Sequence, residues 1–485
     1  MTMSADKQDA GLLMTEGCDD RIVLKPETGL NRYHSAPYPR DGLAYASSTA
    51  NDISTAAYAR AEAVLAEIGA TPEPRLYREL LERMRARIRA AYGVAEDVAV
   101  VFAPSGTDLE YVALALVAGR APGGTNAILL GADEVGTGCI HSAHGRYFAD
   151  ETALGAAVTP GDPVPGLGDA TLDLIDIAVR DRMGRVRPST YIAARMDASI
   201  AAARAAGRHS LVHIVHGSKT GLILPSLAEV DALCDRHGDA ATLVVDACQA
   251  RITSTAINDY LARGAIVFVT GSKFMGGPPF SGFALVPAAL ALRTPPLPEG
   301  LATIFRRAEW PAGWPGAGAL PDSVNIGLLL RLEASLFELE RFQELDDAHV
   351  WRVIHAFHAA VRAEIVDKMP ARRVAPYPPG DVAEADSHPV EMRTLSTLDL
   401  SALKRGGASF EDAQAWHKAM ALAGVRVGQP VKCVRLSDGR WGATLRIGLA
   451  MGQVVDRADL SDEDLAGAFA ADMAAIREAL VAAAA

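Results

Sequence analysis

Cysteine is scarce in this chain of 485 residues: Cys18, Cys139, Cys234, Cys248 and Cys433 are odd in number, scattered, and form no C-x-x-C pair. That excludes a disulfide frame or a structural zinc site as the organising device, and reduced thiols are expected. Long apolar runs are also missing. Nothing approaches the roughly 18 consecutive apolar residues of a membrane-spanning helix. The first thirty residues are mixed and acidic, without the core of a signal peptide. A cytoplasmic protein with no membrane partner is the expectation. Basic excess is absent as well, since the formal net charge is −12. A nucleic acid held through its phosphate backbone would need a basic face, so no nucleic-acid partner is expected.

What is present is an ordinary globular composition, 49% hydrophobic and 22% charged, in a chain long enough for two or three domains. Residues 1–55 lack periodicity and predict an irregular N-terminal arm. "STAAYARAEAVLAEIG" and "YRELLERMRARIRAAYG" then repeat apolar residues at three- and four-residue steps and close on glycine, as amphipathic helices do. From about residue 95 to 290, short apolar runs ("VAVVFA", "NAILLGAD", "SLVHIVHG", "ATLVVDACQ", "AIVFVTGSK") alternate with helical patterns. This alternation predicts an α/β fold, a mainly parallel sheet covered on both faces. With its leading helices the large domain spans 56–310. The Pro-, Gly- and Trp-rich stretch 309–322 reads as a boundary or an ordered loop. Residues 323–485 predict a smaller α+β domain with two or three strands near 391–450 and a final alanine-rich helix. No repeat of solenoid length appears.

Ligands of such sheets gather beyond the carboxyl ends of the strands, and three sets of residues fall there. "APSGTDLEY" leaves a strand and opens a helix, so Ser105, Gly106 and Thr107 would offer N–H groups and hydroxyls to a phosphate. "TLVVDACQ" ends on Asp246, and "VFVTGSK" ends on Lys273. Singly, these have commoner explanations: an N-cap with a turn, a cap for the next helix, a surface lysine. Jointly, a phosphate cradle, a carboxylate for a pyridinium nitrogen and an amine able to form a Schiff base are the parts that hold pyridoxal phosphate (PLP).

Here the chain resembles the PLP-dependent enzymes of fold type I, in the class V aminotransferase branch with the cysteine desulfurases and kynureninases. The resemblance spans roughly residues 75–460 and rests on "DACQ", "TGSK", "GGPPFSGFALV" and the C-terminal "VRVGQPVKCVRLSDGRWGATLRIGLA". It implies that Asp246 pairs with the pyridine nitrogen and Gln249 contacts the ring hydroxyl. It also implies that Lys273 forms the Schiff base, and that Thr270 and Ser272 join Ser105, Gly106 and Thr107 around the phosphate. Arg446 takes the position of the arginine that forks onto the substrate α-carboxylate. A homodimer with the active site at the subunit interface is implied too, with the loop 309–322 either an interdomain loop or a contributor to the partner's site.

The departures from that pattern are concentrated near the expected ring. The persulfide-forming cysteine of a desulfurase would fall at Val431, whereas the thiol here is Cys433, so an inert thiol is expected and a desulfurase is not. Where the family places a ring-stacking group, this chain has Glu134 followed by Val135, with His141 and His144 nearby. In "VHGSKTG" the usual asparagine is absent. His216 or Ser218 is then the candidate for the ring hydroxyl, and Lys219 stands in the place of an acid. These changes favour a lyase or carbon–carbon bond-forming enzyme acting on a small amino acid. An aminotransferase is the alternative, and a catalytically silent PLP-binding module is a third reading.

Overall fold

The computed structural model of the chain describes residues 9–132, 134–169, 171–376 and 394–485. Its strands in chain order are β1 (Leu43–Tyr45), β2 (Ala99–Ala103), β3 (Thr125–Leu130), β4 (Leu172–Ile177), β5 (His209–His216), β6 (Ile223–Leu224), β7 (Ala241–Asp246), β8 (Ile266–Thr270), β9 (Gly282–Val286), β10 (Arg372–Val374), β11 (Leu395–Asp399), β12 (Val425–Val427) and β13 (Thr444–Gly448). The order β2-β9-β8-β7-β5-β3-β4, with β6 on β5, makes an eight-stranded sheet. Strands β8, β7, β5, β3 and β4 are parallel. Strand β9 is antiparallel to both neighbours, which returns β2 to the common direction. The carboxyl ends of β2, β3, β5, β7 and β8 therefore share one edge.

Continuous apolar runs become strands buried on both faces, and every residue of β3, β5, β8 and β9 is buried. One face packs on the helix Leu109–Val117 and on Leu301, Phe305, Trp310 and Trp314. The other packs on the helices Pro74–Tyr92, Ser189–Ala205 and Ile326–Gln343. The two tryptophans of the 309–322 loop thus fill this chain's own core. The helix Pro74–Tyr92 starts on proline and ends at Gly93 with φ 58°, burying Tyr77, Leu80, Leu81, Met84, Ile88 and Tyr92. Among the described residues no helix is long and apolar enough to cross a membrane.

Strands β10, β11 and β13 form a second, antiparallel sheet. The region near 391–450 thus holds β11, β12 and β13, while positions 391–393 lie outside the described residues. The final helix is Asp462–Ala484. Composition predicts an irregular arm, yet β1 lies within it and pairs parallel with β12. Three residues are too few to carry a periodic signal, and their partner is remote in sequence. The arm then runs between the sheets. Ser47 Oγ donates to the Leu449 carbonyl at 2.6 Å, and Arg251 Nη2 donates to the same Ser47 hydroxyl at 2.6 Å.

The turn after β8 is packed without slack. A Cβ on Gly271 would lie 2.2 Å from Ser335 Oγ and 2.6 Å from Ser281 Oγ. Ser335 is itself fixed, its hydroxyl donating to the Arg331 carbonyl at 2.7 Å. Gly271→Ala is expected to destabilise the protein by about 1–3 kcal/mol through overpacking. A fall in the urea midpoint at unchanged m-value measures it, and an unchanged midpoint would contradict this packing.

Candidate active site

Strands β7 and β8 are neighbours in register, Asp246 facing Phe268. Their exits therefore lie side by side. Asp246 Oδ1 accepts the Cys248 N–H at 2.9 Å, which fixes the carboxylate at the strand end. Beyond β8 the chain turns tightly, with Gly276 N–H on the Lys273 carbonyl at 2.9 Å and Gly277 N–H on the Gly271 carbonyl at 2.9 Å. The Asn51 side-chain amide also donates to the Lys273 carbonyl, so the arm holds the lysine's backbone. Lys273 is half-buried. The two groups bear on common neighbours. Burial pushes the thiols of Cys139 and Cys248 well above their ordinary range, Asp246 raises both further, and Lys273 opposes the rise in both. The carboxylate and the amine thus act on the same two thiols, which burial keeps protonated.

The cradle adjoins it. A Cβ on Gly106 would stand 2.7 Å from Thr270 Cγ2, so the β2 exit and the β8 exit are in contact. Ser105, Thr107, Thr270 and Ser272 are all buried there. Ser105 Oγ donates to Asp108 Oδ2 at 2.6 Å, and the Thr270 hydroxyl donates to the Cys248 carbonyl. The helix Leu109–Val117 starts immediately after, directing its N-terminus at the cradle. Two further groups escape a reading of strand exits. Arg21, from the arm, donates to Ser105 Oγ at 3.1 Å and to Thr107 Oγ1 at 3.2 Å. Beneath the cradle, Glu110 and His213 form a buried pair at 2.6 Å, which keeps the imidazole's pKa raised although burial works against its charge.

Arg446 is buried close by. Its Nε donates to the Gln429 carbonyl at 2.8 Å, Nη1 to the carbonyls of Ser48 (3.3 Å) and Lys219 (3.1 Å), and Nη2 to Thr49 Oγ1 at 3.1 Å. Among the described residues no carboxylate pairs with it, and burial brings it down to about 10. Lys219 lies beside it, its ammonium pKa lowered first by burial and then by Arg446.

Other expected contacts go elsewhere. Gln249 is spent on the framework: its Nε2 donates to the Ser48 carbonyl at 3.1 Å and its Oε1 accepts from Arg251 at 2.8 Å. His216 is not beside Asp246. Val215 is the register partner of Asp246, so alternation sends His216 to the opposite face, where it meets the Tyr260 hydroxyl at 3.1 Å. The Ser218 hydroxyl donates to Glu134 at 2.7 Å. Glu134 also pairs with Arg180 at 2.8 Å, so this buried carboxylate is held below its ordinary range although burial works against it. His141 is exposed, and His144 contacts the Leu172 carbonyl at 3.2 Å, at the start of β4. Cys433 is buried, and burial pushes its thiol up to about 11.

Asp108 carries a measurable consequence. Burial, then the Asp19 charge, pushes it up to about 7, with Ser105 and Arg21 opposing and Glu309 adding to the rise. A carboxyl raised on folding stabilises fully below its unfolded pKa and loses that contribution as pH rises toward about 7. Asp108→Asn should therefore gain stability relative to wild type as pH rises from about 4 to about 7, by a few kcal/mol at the upper end, since each tenfold change in proton affinity is worth about 1.4 kcal/mol. Urea midpoints across that range test this, and a constant difference would refute it.

No protein-family model and no curated protein matches the sequence. Solved structures do. A NifS-like protein superposes with a TM-score of 0.54 at 11% identity, over 88% of this chain and 99% of its own. The structure of a C-DES variant, described as having glycine covalently linked to its PLP cofactor, gives 0.55 at 14% identity over 89% and 96%. A cysteine desulfurase from Thermococcus onnurineus gives 0.53 at 15% over 88% and 95%. The chain has the α/β fold of these proteins, the fold type I of PLP enzymes.

Proposed function

We propose that the protein is a PLP-dependent enzyme acting on the α-amino group of a small amino acid, as a lyase or a carbon–carbon bond-forming enzyme. The carrying observation is that Asp246 and Lys273 follow the carboxyl ends of adjacent parallel strands, beside the Ser105–Thr107 cradle that touches Thr270. The residues fit the group: Gly106 brings cradle and lysine turn into contact, and the buried hydroxyls of Ser105, Thr107, Thr270 and Ser272 offer phosphate ligands. Asp246 would hold a proton on the pyridine nitrogen and Lys273 the aldehyde carbon. When bound, PLP supplies an electron sink for the bonds at a substrate's Cα.

The chain's own residues then divide the work. Arg446 offers the substrate carboxylate a guanidinium, with Thr49 Oγ1 the neutral acceptor most readily displaced. Lys273 would move the proton at Cα. Cys433, buried and pushed up to about 11, stays a thiol at neutral pH, which speaks against persulfide chemistry. Glu134, locked onto Arg180, Ser218 and Thr220, leaves a ring face unlike that of the desulfurase pattern and favours different bond chemistry. A homodimer belongs to the same reading.

Titrating the PLP-loaded protein with each common amino acid, followed in the visible spectrum with products sorted by mass, tests the proposal. A subset of amino acids should shift the band. Arg446→Lys should raise their half-saturation about ten- to hundredfold, one charge-assisted hydrogen bond being worth about 1.5–3 kcal/mol, and leave decarboxylated amines unaffected. A spectrum indifferent to every amino acid would sink it.

A further inference from the structure

The cradle predicted from the β2 exit contains no cation of its own segment, yet a guanidinium is delivered to it from 84 and 86 positions away. Arg21 sits between two aromatic rings, its Cζ 4.8 Å from the Phe148 centroid and 4.6 Å from that of Phe280. Asp19 grips the outer edge, taking Nε at 2.6 Å and Nη2 at 2.7 Å. The inner edge is thereby aimed at the hydroxyls of Ser105 and Thr107. Phe280 belongs to the turn that follows Lys273 and Phe148 to the segment between β3 and β4, so the slot that receives the arm's arginine is lined on one side by the lysine loop.

We propose that Arg21 is the cationic ligand of the cofactor phosphate, supplied by the N-terminal arm and oriented by Asp19. This rests on the PLP reading above. Hydroxyls that now accept from Arg21 can rotate to donate to phosphate oxygens, and the same two guanidinium nitrogens then meet the oxygens directly, the fork geometry that arginine offers to phosphate. The aromatic slot keeps the group planar to the cradle and dry, where a charge-assisted bond is strongest. Burial works against the Arg21 charge, and Asp19 more than offsets it, so the group is cationic at every working pH. Two carboxylates stand nearby. Asp19 is consumed by Arg21 itself, and Asp108, bonded to Ser105, is the one free to take up a proton as the dianion enters.

In a purely structural account the Asp19–Arg21 pair only pins the arm to the core. Dissociation constants for PLP and for pyridoxal, which lacks the phosphate, separate the two. Both are read from the visible absorbance of the Lys273 linkage in wild type, Arg21→Ala and Arg21→Lys. We expect Arg21→Ala to bind PLP at least about tenfold more weakly, Arg21→Lys to recover part of the loss, and all three to bind pyridoxal alike. PLP and pyridoxal weakening in parallel, or PLP binding unchanged, overturns the assignment. If Arg21→Ala does not fold, Arg21→Lys decides by the same comparison, with a smaller loss confined to PLP expected. Wild-type protein that binds neither compound overturns the cofactor reading itself, an outcome distinct from a failure of Arg21 alone.

Discussion

Arg446 carries a positive charge into the interior and meets no carboxylate among the described residues. An isolated buried charge costs several kcal/mol even after relaxation, so the surroundings must be built to carry it. They are built from backbone. The carbonyls of Gln429, Ser48 and Lys219 converge on the guanidinium, and two of them come from segments far from β13. The arm residues 46–51 are the common element: Ser48 serves both Arg446 and Gln249, Ser47 bonds Leu449 and Arg251, and Asn51 holds Lys273. Removing the arm would expose or orphan each of these groups at once. Neutral acceptors leave the charge uncancelled, and an uncancelled cation in a dry site is a preformed receptor for an anion.

The same economy of counter-ions orders the rest of the niche. Lys219 lies within reach of Arg446's field, and the carboxylate that answers it, Glu134, is fixed by other donors. Glu134 is held by Arg180 and hydroxyls on one side, and Asp246 by the Cys248 amide on the other. Cys139 and Cys248, kept protonated by burial, add no charge to this balance. In the proposed reading Arg446 serves the carboxylate, Lys273 the amine, and the cradle with Arg21 the phosphate.

What the amino-acid pattern reveals and conceals follows from distance along the chain. Strands such as β5 and β8 announce themselves because burial on both faces demands continuous apolar residues, and their exits name Asp246 and Lys273 directly. Strand β4 escapes because it is an edge: its Asp173 and Asp176 are exposed, and two charges three positions apart break the continuous apolar run that marks the inner strands. Arg21, Ser48 and Asn51 escape because their importance lies wholly in contacts across the fold, from an arm whose composition carries no period. The surroundings of His216 are hidden from the sequence for a related reason. Which face of β5 it occupies depends on the register against β7, and only the pairing of Val215 with Asp246 decides that. Gln249 matches its motif and yet is drawn into the framework by Arg251, whose own buried charge, brought down by burial to about 9, needs acceptors.

The most direct test of the central claim is chemical. Protein incubated with PLP, reduced with borohydride and digested should yield one phosphopyridoxyl-modified peptide, and its modified residue should be Lys273. Modification at Lys219 instead, or at scattered surface lysines with Lys273 untouched, would contradict the account at its root.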